Sequence, residues 1–318
     1  MTTENVNNRL ESIAPGVYRF DTGYIRPRHT ACFIIAAQDR VAIVDCGVAA
    51  TIQPLLAALD SLAITTERVD AVIATHAHLD HAGGVGQLMT ALPSARLYAH
   101  PSAARHLIDP TKLEKGVRAV YGDAFFDREY GRLEPVAADR VVETPDNAEV
   151  PIGERVLEIF HTPGHARHHQ SIFDRRTATL LAGDAFGVGY PELDSPAGRF
   201  FVPETPPNQF DPDAMHASID RIIGLAPQRV APTHFGNVDE VATIGQQLHT
   251  FVDQYIDCCR HAQSMDDLEE AIMALYVRAL TDRGRADDVP RMRTCYGLDV
   301  QLVAQGLWDW RSKQNVSA

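Results

Sequence analysis

No apolar run in this 318-residue chain approaches the roughly 18 to 20 residues that a membrane-spanning helix needs. The opening MTTENVNNRLESIAPG has neither a basic n-region nor an apolar h-region. Membrane insertion and secretion are therefore disfavoured, and a cytoplasmic location is expected. Cysteine is scarce: there are 5, an odd number, with Cys258 and Cys259 adjacent and no C-x-x-C. That usage fits reduced thiols rather than a disulfide framework. Positive charge is also in deficit, 29 Lys plus Arg against 42 Asp plus Glu, for a net charge of −13. A protein that holds nucleic acid by neutralising phosphates is argued against, so neither nucleic acid nor membrane is an expected partner. No internal repeat or low-complexity tract is present, which sets aside solenoids and disordered tails.

What remains is an acidic globular composition, 45% hydrophobic and 22% charged, with 14 histidines. The length allows roughly two domains, or one large α/β domain with an appendage. An anionic substrate would have to be held by local positive charge, and a metal site is one source of it.

Strand-like segments occur at Gly16–Phe20, Ala31–Ala37 and Val41–Val44, the last two forming a predicted β-hairpin across Gln38-Asp39-Arg40. Helical periodicity runs from Ala50 to Leu62. The run VDAVIAT at 69–75, apolar and β-branched, predicts a strand buried on both faces. Gly83-Gly84 leads into a helix to Ala91, a strand follows at Arg96–Ala99, and Pro101 is placed to start the next helix. From Thr111 to Arg132 this alternation breaks into an aromatic and charged stretch with Tyr121, Phe125, Phe126 and Tyr130, expected to be an insertion and a candidate lid.

Strand signals return at Val156–Phe160, Gln170–Asp174 and Thr177–Ala182, the last two paired as a hairpin across Arg175-Arg176. Residues 187–212, rich in Pro and Gly, predict a long irregular loop. A helix at 212–224 and a strand at 229–232 complete the α/β part. Beyond Val238 the pattern is helical. We therefore expect domains at 1–238 and 239–318, the second a helical extension that caps the core or mediates a homodimer.

The chemistry concentrates in His76-Ala77-His78-Leu79-Asp80-His81, directly after the buried strand. Residues i and i+2 of an extended backbone point to one side, so His76 and His78 can close on one metal while Asp80 and His81 turn toward a second. By chance an H-x-H-x-D-H pattern is expected in about two of a thousand such chains. His165 in HTPGH, Asp184 in LAGD and His234 in PTHFG each follow a predicted strand. Open α/β sheets collect ligands at one edge of their strands, so these residues are expected to converge on one site.

In these blocks the chain resembles the metallo-β-lactamase fold superfamily of metallohydrolases. The resemblance covers roughly residues 15–237 and its blocks occur in the family order: VDCG at 44–47, HAHLDH at 76–81, HTPGH at 161–165, LAGD at 181–184 and PTHFG at 232–236. It implies an α/β (α+β) fold, a four-layer αβ/βα sandwich with a C-terminal helical extension. It also implies that His76, His78 and His165 hold one metal, that Asp80, His81 and His234 hold the other, and that Asp184 bridges both.

Two divalent ions against two carboxylates leave a net charge of about +2, suited to an anionic or carbonyl-bearing small molecule. Such a site presents a metal-bridging hydroxide to a scissile carbonyl or phosphoryl group. Asp80 is then a candidate to orient the hydroxide or move its proton, and Tyr190 a candidate donor to the developing oxyanion, as a tyrosine is in some family members. Asp45 is expected to hydrogen-bond a ligand or nearby backbone rather than ligate. His161, His168 and His169 are expected to be structural or to support a ligand without binding the metal themselves. Arg26, Arg28 and His29, with the aromatic stretch at 121–130, are candidates for a substrate wall.

The reading reached is a dinuclear metal-dependent hydrolase of a small ester, thioester or lactone, with zinc the first choice and iron the second. The metal blocks resemble those of glyoxalase II, but the last 80 residues lack that family's glutathione-binding pattern. The alternatives are a mononuclear iron enzyme like the persulfide dioxygenases, and a metal-containing binding or regulatory protein with little turnover.

Overall fold

The apolar run VDAVI becomes a short strand with four of its five residues buried, because both of its faces are covered and the backbone groups must pair within a sheet. In the computed structural model, which describes residues 8–196 and 198–316, it lies within a seven-stranded sheet. The described residues fall into two compact units, 8–161 with 168–183 and 162–167 with 184–316.

The first unit is built on β1 (Leu10–Ala14), β2 (Val17–Asp21), β3 (Ala31–Ala37), β4 (Arg40–Val44), β5 (Val69–Ile73), β6 (Arg96–Ala99) and β7 (Val141–Glu143), arranged in that order. The strands β1 to β4 pair antiparallel, and β4 to β7 pair parallel. Helices supply the parallel crossovers: α1 (Ile52–Ser61), α2 (Leu79–Ala82), α3 (Val85–Ala91) and α4 (Pro101–Ile108). α1 buries Ile52, Leu55, Ala58 and Leu59, one stripe at helical spacing, in a core with Ile34, Ile43, Val72 and Leu97.

The insertion at 111–132 is helical. It forms α5 (Thr111–Tyr121) and α6 (Asp123–Glu129), joined at Gly122. Its aromatic residues have local partners: Phe126 is buried with Leu79 and Leu133, and the Arg118 guanidinium lies 4.0 Å above the Phe126 ring. The strand alternation of the unit then resumes in a second set: β8 (Ala148–Ile152), β9 (Arg155–His161), β10 (Gln170–Asp174) and β11 (Thr179–Gly183), each antiparallel to the next. β8 went unread in the sequence because Pro151 argues against a strand, and it is tolerated there because β8 is an edge. A buried Arg155–Asp174 ion pair at 2.6 Å ties β9 to β10.

The second unit contains α7 (Pro212–Gly224), β12 (Arg229–Pro232), α8 (Val241–His261), α9 (Met265–Thr281) and α10 (Val289–Val316). Asp211 caps α7, its side chain accepting from the Ala214 amide at 3.0 Å, and Pro212 takes the first helical position. Residues 184–211 are largely irregular, pinned by a bridge between Val188 and Val202.

The second unit continues through residue 238 into the C-terminal helices. The C-terminal helices are bonded to the irregular segment: the Tyr296 hydroxyl donates to the Phe200 carbonyl at 3.2 Å, Tyr255 to Pro203 at 3.2 Å and Thr205 to Val303 at 3.0 Å. A change from α/β to helical periodicity marks a change of local pattern, and the buried hydrogen bonds run across it. Among the described residues no helix is long and apolar enough to cross a membrane.

Candidate metal centre

Past the end of β5 the chain leaves the sheet through Thr75 and enters the one-turn helix α2, so His76, His78, Asp80 and His81 are delivered within a single bend. His76 and His81 are fully buried, and His78 and Asp80 are partly exposed. The ring of His76 lies 4.3 Å from that of His78 and 4.1 Å from that of His81, centroid to centroid. The sequence cluster is thus a spatial cluster within the first unit.

Asp45, just beyond β4, orients this group. Its Oδ1 accepts from the Thr75 amide at 2.8 Å, and its Oδ2 lies 2.8 Å from His81 Nδ1. With Nδ1–H given to a carboxylate, His81 presents the Nε2 lone pair, and that nitrogen faces Asp80 Oδ2 at 3.6 Å. The Thr75 hydroxyl, which also donates to Asp45, meets His76 Nδ1 at 3.1 Å. Nδ1 is engaged in both rings.

The flanking histidines divide. His169 and His168 lie against His76, at 5.0 Å and 6.2 Å between centroids. Gly183 has φ +54°, and a Cβ there would fall 2.4 Å from His169 Nε2, so the glycine of LAGD keeps that ring in place. His161 is turned elsewhere: it contacts the Thr144 carbonyl at 2.9 Å and packs on His100 at 4.2 Å. Burial first, and the neighbouring His161 second, hold the His100 imidazole down at about 4.

Beside Asp80, the sequence reading missed Tyr24. Its phenol is pushed up by burial, then by Tyr130 and Asp80, and its ring stacks on Tyr130 at 6.0 Å and meets His29 at 6.1 Å. An aromatic residue in a loop carries no periodic signal that could have marked it.

The second unit carries its own donor set. His165, 1% exposed, places Nδ1 3.2 Å from the Glu204 carbonyl and Nε2 3.2 Å from Asp184 Oδ2. His234 Nε2 lies 3.7 Å from the other oxygen of the same carboxylate, Oδ1. Asp184 therefore offers one oxygen to each of two imidazoles, the disposition of a bridging carboxylate. Gly164, at φ +129°, lets HTPGH close against α7, where a Cβ would meet the Met215 backbone at 2.4 Å.

Glu204 is a donor that no motif announces. Ligand atoms of Asp184, Glu204 and His234 lie within 4.8 Å of one another, so these three could hold a metal ion. A single carboxylate in the proline-rich segment VPETPP has nothing in its spacing to mark it.

Tyr190 does not match its expected role. Its hydroxyl donates to Asp299 Oδ1 of α10 at 2.7 Å, its ring lies 4.7 Å from that of Tyr296, and it is 1% exposed. Burial first and the Asp299 charge second raise its pKa. The phenolic hydrogen is already committed to a carboxylate, so it is not available to an oxyanion. Tyr190→Phe is expected to lower stability by about 1–3 kcal/mol, since the buried Asp299 loses one of its hydrogen bonds, and to leave turnover within about twofold. Urea unfolding and steady-state kinetics on one preparation check this; a tenfold loss of kcat at full stability would restore the oxyanion role.

The donor chemistry fits a metal. His81, His165 and His76 each engage Nδ1 with an oxygen, and carboxylates face the Nε2 atoms of His81, His165 and His234. The metallo-beta-lactamase fold-containing protein ST1585 of Sulfurisphaera tokodaii is 28% identical over 233 residues, 72% of this chain and 79% of that protein. A hydroxyacylglutathione hydrolase of Aeromonas hydrophila is 27% identical over 194 residues, 61% of this chain and 56% of that enzyme. In fold the chain is similar to the metallo-beta-lactamase family protein TTHA1429 of Thermus thermophilus, with a TM-score of 0.66 at 18% identity, covering 96% of this chain and 95% of that one. The profile of the metallo-beta-lactamase superfamily matches residues 25–234, which span every donor named above, and the chain belongs to that superfamily.

Proposed function

We propose that the two donor sets serve one dinuclear centre, with His76, His78 and His165 on one ion, Asp80, His81 and His234 on the other, and Asp184 between them. The reading is carried by Asp184, whose two oxygens face two different imidazoles. In this reading the protein is a metal-dependent hydrolase of a small ester, thioester or lactone. Bound divalent ions supply water of lowered pKa and polarise a carbonyl oxygen. The chain's own residues orient the donors: Asp45 holds His81, and the Glu204 carbonyl holds His165. Asp80, partly exposed, is placed to hold or move a proton at the substrate side. The hydroxyacylglutathione hydrolase relative supports a thioester among the candidate substrates.

Elemental analysis of the purified protein tests the centre, with close to two zinc ions per chain expected. Glu204 adds a carboxylate to the donors, and mixed imidazole and carboxylate sets accept several first-row ions, so the metal is to be identified and not only counted. A chelator is expected to remove turnover on ester, thioester and lactone substrates, and added divalent ion to restore it. A single iron per chain would overturn the dinuclear reading, and two metals with no turnover on any of the three classes would overturn the hydrolase.

A further inference from the structure

α7 and α8 each carry the spacing H-x-x-x-D: His216 with Asp220, and His249 with Asp253. Four-residue spacing puts both members on one face of a helix. The two faces meet. His216 Nδ1 and His249 Nδ1 are 2.6 Å apart, and the rings stack at 4.9 Å with an interplanar angle of 9°. Each ring turns its other nitrogen to the carboxylate of the opposite helix: His249 Nε2 is 3.0 Å from Asp220 Oδ1, and His216 Nε2 is 3.2 Å from Asp253 Oδ1.

This row has three contacts and each needs a hydrogen or a cation. Two neutral imidazoles bring one hydrogen apiece, and ionised carboxylates bring none. The charge-assisted bonds to Asp220 and Asp253 claim both hydrogens. Two nitrogen lone pairs then face each other across 2.6 Å, a contact that either a third, shared proton or a metal ion can fill. A carboxylate that holds one ring N–H while the other nitrogen points at a common position is the arrangement that orients metal-ligating histidines.

We propose that His216 and His249 form a further metal site on the α7–α8 surface, taking one late first-row divalent ion such as zinc through both Nδ1 atoms. Asp220 and Asp253 orient the rings, and water completes the coordination. The imidazoles are 26% and 17% exposed and both carboxylates 73%, so an ion has access and can keep water ligands. Zinc–nitrogen bonds of about 2.0–2.1 Å at a tetrahedral angle set the nitrogens about 3.3 Å apart, so the rings part by less than about an ångström. Imidazole donors suit zinc, copper and nickel over magnesium or calcium.

The test is zinc stoichiometry on the full-length protein by equilibrium dialysis near neutral pH. Wild type dialysed against free zinc is expected to hold one zinc per chain beyond the two it retains as purified, and His249→Ala and His216→Ala each to lack that extra equivalent. Asp220→Asn combined with Asp253→Asn keeps the ring nitrogens and is expected to bind that zinc about 10–100-fold more weakly. Hydrolytic turnover is expected to be equal in all four proteins. His249→Gln, which keeps a polar side chain but no ring nitrogen, guards against a folding defect, monitored by circular dichroism. If folded His249→Gln or His216→Ala takes up as much zinc as wild type, the site is refuted.

Discussion

Asp184→Asn is expected to lower turnover at least about a hundredfold and to reduce the metal content of the protein. The substitution keeps size and removes the charge at a residue whose two oxygens face two imidazoles, His165 at 3.2 Å and His234 at 3.7 Å. Asp184 is 2% exposed, so little water stands in for the lost charge. A hundredfold corresponds to about 2.7 kcal/mol, within the several kcal/mol that metal-centred electrostatics supply. The measurement is kcat with elemental analysis on the same preparation, and circular dichroism establishes that the variant is folded. Wild-type rate and wild-type metal content together would remove Asp184 from the bridging role.

The second large effect lies at a residue that touches no proposed substrate. Asp45→Asn is expected to weaken metal binding about 10–100-fold with the fold intact. Asp45 is 2% exposed, and its Oδ2 receives His81 Nδ1–H at 2.8 Å. An asparagine that turns its NH2 to His81 makes Nδ1 the acceptor and moves the ring hydrogen to Nε2, the nitrogen needed for a metal. Asp45→Ala also strips the Thr75 amide of its acceptor, so a further stability loss of about 1–3 kcal/mol is expected there. Metal titration of both variants, with urea unfolding of the metal-free proteins, separates the two contributions. Unchanged metal affinity in Asp45→Asn would show that the carboxylate does not set the His81 tautomer.

Both predictions concern residues whose types were visible in the sequence before their geometry. The block HAHLDH is contiguous, and a tight bend after a buried strand brings contiguous donors together whatever surrounds them. The same holds for the β3–β4 and β10–β11 hairpins, where pairing is between neighbours in sequence. Strands β1, β7 and β8 were not legible: β7 has only three residues, β1 leaves most of its first three residues exposed and without an apolar run, and β8 carries a proline that only an edge position tolerates. The segment at 111–132 was legible as an insertion in the alternation but not as two helices, and nothing in its spacing showed that Phe126 packs with Leu79 and Leu133.

An inventory is legible along the chain: an acidic α/β protein, strand ends tipped with His and Asp, and motif blocks in the order of the superfamily to which it belongs. Which groups answer each other follows from the fold. Asp45 meets His81 across 36 residues, Glu204 reaches His165 across 39, and Tyr190 spends its hydroxyl on Asp299, 109 residues away. Such pairings depend on where sheets and helices bring side chains together. Local periodicity and spacing report only neighbours along the chain, so a hydrogen bond between distant segments leaves no mark in either.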